Sequence, residues 1–148
     1  MATLDTAQAI RNAIDAELAA CRFYQLLSES TSDPTAREFL QDMAAAETEH
    51  AQAIRVQSEA LFRGPLPAQA DSLVEVIETV PDWKYVDDVT FDEALRIART
   101  AEVQASLYYD AIADSLTGAS QTFFRDLART EEDHARLIDE RQRARSQR

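Results

Sequence analysis

Apolar residues recur at helical spacing along most of the chain, and the pattern breaks in three places. The first stripe runs through Ile10, Ile14, Glu17, Cys21 and Tyr24, flanked by Leu18 and Leu27, and predicts a helix over about 3–30. Ser32-Asp33-Pro34 interrupts it: Asp33 is suited to cap a second helix, and Pro34 to sit in the first turn, where a missing N–H costs nothing. That helix carries Leu40, Met43, Glu47, His50, Ile54 and Leu61 and is expected to reach about 63, where Gly64-Pro65-Leu66-Pro67 stops it. Residues 64–89 form a crossover too long for a tight turn, with a short extra helix expected over 73–80 and irregular chain after it. Such a connection either joins helices at one end of a bundle or carries the chain to the other end. Thr90-Phe91-Asp92-Glu93 reads as a capping box opening a third helix to about 115, with Leu95, Ala98, Glu102, Ala105, Tyr109 and Ile112 on its stripe. Gly118-Ala119-Ser120 makes the last turn, and a fourth helix to about 143 carries Phe124, Leu127, Glu131, His134 and Ile138.

The two halves repeat. Glu17 and Tyr24 map onto Glu102 and Tyr109 at an offset of 85, and Phe39, Met43, Glu47, His50 and Ile54 map onto Phe123, Leu127, Glu131, His134 and Ile138 at an offset of 84. The one-residue difference falls in the turn between helices, where length varies most freely. Each half is a helical hairpin with a polar stripe that it cannot satisfy alone. The expected fold is therefore all-α: one domain over 1–148, a four-helix bundle of two repeated hairpins (about 3–63 and 90–143), joined by the long crossover and followed by a basic C-terminal tail.

The polar residues on these stripes change the picture from packing to chemistry. Glu47 and His50, and Glu131 and His134, form two Glu-x-x-His pairs in a chain with only two histidines. Three residues apart on a helix, the two side chains share a face. Glu17 and Glu102 lie upstream on the other two stripes, and no Lys or Arg falls on any of the four. Buried carboxylates without cationic partners each cost several kcal/mol or take up protons. A pair of dications removes that cost, and four carboxylates with two imidazoles are a two-metal ligand set inside a four-helix bundle. We assign Glu47 and Glu131 as bridges, Glu17 with His50 to one ion, and Glu102 with His134 to the other. Fe²⁺ accepts this mixture of donors, and manganese or a mixed pair is compatible with it. The competing reading is a metal-free helical interaction module whose glutamates and histidines form ordinary salt bridges.

Composition narrows the setting. A net charge of −12 argues against a broad nucleic-acid-binding face, and the basic tail from Arg141 reads as a short frayed terminus. No apolar run approaches the length of a membrane span, the N-terminus lacks the pattern of a signal peptide, and the single cysteine, Cys21, suits a reducing compartment. Cytoplasm is the expected location. Cys21 itself reads as a small buried apolar residue, and Trp83, Tyr85 and Phe91 as aromatics sealing the end of the bundle.

The segments AIDAELAACRFYQLLSESTSDPTAREFLQDMAAAETEHAQAI and DEALRIARTAEVQASLYYDAIAD, with FFRDLARTEEDHARLI, resemble the rubrerythrin-type diiron domain of the ferritin-like superfamily. The likeness spans the chain except 64–89 and the last few residues. It implies Glu17, Glu47, His50, Glu102, Glu131 and His134 as ligands of two iron ions, with Tyr24 and Tyr109 hydrogen-bonded to ligand carboxylates on facing helices. It further implies an oxidoreductase that reduces hydrogen peroxide or dioxygen with Fe(II)/Fe(III) cycling, in a homodimer. A ferritin-like ferroxidase serving iron storage or delivery is the alternative. This sequence departs from the full architecture twice. A further glutamate, one turn after the third-helix ligand, is replaced by Ala105, matched by Ala20 in the first half, so a more symmetric site is expected. A rubredoxin centre needs four cysteines where this chain has Cys21, so a separate electron donor is expected.

Overall fold

The computed structural model describes residues 5–71 and 87–147. Asp5 opens α1 (Thr6–Glu29) by accepting the Gln8 N–H at 2.8 Å. Asp33 caps α2 (Pro34–Gln57) through the N–H groups of Thr35 and Ala36, and its second oxygen accepts the N–H of Phe91 at 3.2 Å. One aspartate thus ties the start of α2 to the start of α3 (Phe91–Asp114). Thr90 caps α3 by accepting the Glu93 N–H at 3.1 Å, as the capping-box pattern predicts. Gly118 starts α4 (Gly118–Ser146) with φ +62°. All of the regular structure among the described residues is helical, and the chain is an all-α, ferritin-like four-helix bundle.

The crossover carries the chain to the opposite end of the bundle. At its start, the N-terminal half of α1 holds it: Gln8 and Arg11 donate to the carbonyls of Gln69 and Pro67, and buried Asn12 exchanges two hydrogen bonds with Asp71. At its end, the turn after α1 holds it: Asp88 donates its N–H to Ser30, Thr31 donates to the Val89 carbonyl, and Ser32 donates to the Asp88 carboxylate. Asp88 adopts φ 51°, a left-handed conformation that aspartate tolerates better than most residues. With the chain delivered to the other end, α2 and α3 run parallel, as do α1 and α4.

Helices pack most closely within each hairpin, α1 on α2 and α3 on α4. The apolar core divides into two clusters along the bundle axis. One gathers Phe23, Tyr24, Leu27, Leu40, Phe91 and Leu95 near the α1–α2 turn. The other gathers Ile10, Ile14, Tyr109, Phe124 and Leu127 near the α3–α4 turn. Glu17, Glu47, Glu102 and Glu131 are buried but belong to neither cluster.

Three boundaries differ from the sequence expectation. The turn expected over Gly118-Ala119-Ser120 is already the first turn of α4, and the chain turns instead over 115–117. Helix α2 ends at Gln57, before Gly64, because the chain tightens into a 3₁₀ turn over Ser58–Ala60 in which the Ser58 hydroxyl bonds back to the Arg55 carbonyl at 3.0 Å. The basic tail is not a frayed end: α4 continues through Ser146, with Arg141 over the rings of Phe39 and Phe91 and Arg145 over Phe91 and paired with Asp92 at 2.7 Å. Phe91 is buried and meets Phe39 edge-on, so this aromatic closes the bundle end as expected. The expected short helix over 73–80, Trp83 and Tyr85 lie outside the described residues.

Candidate metal centre

Each helix delivers one glutamate to the layer between the apolar clusters, Glu17 from α1, Glu47 from α2, Glu102 from α3 and Glu131 from α4. The histidines follow one turn after the glutamates of α2 and α4, and their rings face each other at 6.3 Å between centroids. His50 Nδ1 lies 3.1 Å from Glu17 Oε1 and 3.0 Å from Glu131 Oε1, within ion-pair range of both and aligned for a hydrogen bond with neither. His134 Nδ1 lies 3.6 Å from both Glu102 Oε2 and Glu131 Oε2.

The six residues form two overlapping donor sets. Glu17, Glu47, His50 and Glu131 offer one atom each within 4.8 Å of one another, and so do Glu47, Glu102, Glu131 and His134. Glu47 and Glu131 belong to both, and no other residue joins either set among the described residues. The pseudo-two-fold repeat explains this sharing, since it superposes the α2 pair on the α4 pair across the layer.

The tyrosines sit at the edges of the layer. Tyr109 is fully buried and donates to Glu17 Oε1 at 2.7 Å, with the Ala13 carbonyl 3.5 Å away. A backbone acceptor of that kind leaves no signal in the sequence. Tyr24 is fully buried at the matching position on α1. Ala20 and Ala105, also buried, pack into the two apolar clusters. Cys21 stands apart from both donor sets, its Sγ 3.1 Å from Thr48 Oγ1.

The electrostatics follow from burial of so many acids. Burial lowers the pKa of His50, but Glu131 and Glu17 beside Nδ1 outweigh it and push it up to about 10. Glu102 and then Glu131 push His134 up to about 10, against a smaller effect of burial. Burial first, then the neighbouring Glu131, pushes Glu102 up to about 8, against the pull of His134. Burial acts to raise Glu131 also, yet Glu102, His134 and His50 together hold it below the usual carboxylate range.

A metal pair fits these donors. Glu17 Oε2 and both oxygens of Glu102 and Glu131 find no hydrogen-bond donor among the described residues. Ion pairs to Glu17, Glu102 and Glu131 come from His50 and His134, while the arginine pairs given for the described residues are made by other acids. Two dications balance four carboxylates and accept imidazole nitrogen, whereas protons satisfy the same groups only by neutralising them.

The family described as Rubrerythrin matches residues 8–90 and 93–147. A solved structure of a hypothetical protein from Pyrococcus furiosus aligns with 95% of this chain and 90% of its own, at a TM-score of 0.62 and 22% identity, a likeness of fold. No curated protein gives a significant match to the chain. No described helix is long and apolar enough to cross a membrane.

Proposed function

We propose that this chain, which belongs to the rubrerythrin family, is a non-haem diiron-carboxylate oxidoreductase that reduces hydrogen peroxide or dioxygen. The observation that carries the reading is the pair of four-donor sets sharing Glu47 and Glu131. Glu17 and His50 would complete one iron position, Glu102 and His134 the other, and the shared glutamates would span both. When bound, the iron pair supplies the electrons for reducing the oxidant by passing between the ferrous and ferric states.

The chain's own residues prepare the site for that chemistry. The two apolar clusters exclude water from above and below the carboxylate layer, which strengthens every charge interaction inside it. Tyr109 holds Glu17 in one orientation through its hydroxyl, as partners behind a ligand commonly do. We include in this reading an electron donor outside these 148 residues, whose single cysteine cannot form a four-cysteine iron centre. The reading also includes a homodimer.

The test is to add two equivalents of Fe²⁺ without oxygen, then mix with hydrogen peroxide or with dioxygen and follow iron oxidation and particle size. Fast peroxide turnover in a small assembly is expected; hundreds of irons in a large particle would instead establish storage. Glu47→Ala and Glu131→Ala should each lower bound iron below two per chain. Retention of two irons by both variants refutes the ligand assignment.

A further inference from the structure

The repeat predicts two equivalent metal positions, and the structure breaks that equivalence. The His50 side chain is 13% exposed and lies at 3.0–3.1 Å from its two carboxylates. The His134 side chain is 33% exposed and lies at 3.6 Å from both of its carboxylates. Within the first position, Tyr109 donates to Glu17 Oε1 at 2.7 Å inside the core.

We propose that the Glu17–His50 position retains its ion, and that the Glu102–His134 position is the port through which metal enters and leaves the centre and through which the oxidant arrives. This inference rests on the metal-centre reading above. A ligand held by buried partners returns to the ion each time a bond opens, so release from that position is slow. A solvent-facing imidazole is more readily displaced by water or by an incoming ligand, and solvent reaches the centre on that side first. Exchange is then ordered: the exposed position empties before the buried one. Tyr109 is a positioning residue in this scheme, acting through Glu17.

The experiment loads the protein without oxygen with two equivalents of Co²⁺, whose visible absorption reports its coordination, and mixes it with excess chelator in a stopped-flow instrument. Two release phases of equal amplitude are expected, about tenfold or more apart in rate. His134→Ala should abolish the fast phase and keep the slow one, and His50→Ala the reverse. Tyr109→Phe, which preserves the ring and its packing, should speed the slow phase about tenfold and leave the fast phase unchanged. A single phase for both ions in the unaltered protein overturns the proposal, as does a slow phase that Tyr109→Phe leaves untouched. Failure to bind two ions at all is a different result, and it refutes the metal centre itself.

Discussion

His50, His134 and Glu102 hold protons in the metal-free protein that an unfolded chain would release at neutral to alkaline pH. The two histidines rise from an ordinary 6.5 to about 10, and Glu102 rises from 4.5 to about 8. Where the folded state binds more protons than the unfolded one, stability falls as pH increases. The histidine contribution is therefore complete below about 6.5 and is lost as pH climbs towards 10; that of Glu102 is lost by about 8. Glu131, held low, acts in the opposite sense and only in acid. Metal binding shows the reverse dependence, because an ion must displace these protons before it can bind. Thermal unfolding of metal-free protein should thus show a lower midpoint at pH 9 than at pH 7. The added stability from a fixed concentration of metal should be larger at pH 9. A metal-free midpoint that climbs over this range would contradict the proton pairing assigned to the two histidines.

At the scale of the elements, the turn between α3 and α4 makes a sharper test than any helix interior. Gly118 begins α4 at φ +62°, and a methyl group added there meets nothing within 4 Å. The cost of Gly118→Ala is therefore backbone strain alone, about 1–2 kcal/mol, measurable as a lower urea midpoint at unchanged slope. Sequence pattern placed this turn about three residues late, at Gly118-Ala119-Ser120 where α4 has already begun, but it made the caps at Asp33 and Thr90 and the four glutamates of the layer legible. These are local signals, readable because a cap or a helical stripe needs only neighbours in sequence. The early end of α2 was not legible, because a Ser58 hydroxyl bond to its own helix competes with continuation and helix-forming residues on either side hide it. Neither was the anchoring of the tail, where Arg141 and Arg145 meet Phe39, Phe91 and Asp92, residues 50 or more positions away. The inequality of the two histidines is non-local in the same way: an offset of 84 makes them look alike, and only the packing around each ring separates them.

In the whole molecule, the carboxylate layer joins two hairpins that are each packed most tightly within themselves. His50 of the first hairpin reaches Glu131 of the second, and Tyr109 of the second reaches Glu17 of the first. A metal pair bound there would cross-link the hairpins as well as serve the chemistry. Removing it should leave α1 on α2 and α3 on α4 intact, since their apolar contacts do not pass through the layer. The helical circular dichroism signal of chelator-treated protein should therefore stay near its starting value at 20 °C. Stability should fall, because a ligand that binds only the folded state at about 100 times its dissociation constant contributes about 2.7 kcal/mol per site. Two such sites in a domain of this size correspond to about 10–20 °C in the unfolding midpoint. Adding back two equivalents of Fe²⁺ without oxygen should restore the midpoint in the unaltered protein but not in Glu131→Ala, whose donor is shared by both positions. A metal-free interaction module predicts no change on chelation or on add-back. An unchanged midpoint, in protein verified to have carried metal beforehand, would return the four glutamates to the role of buried polar packing.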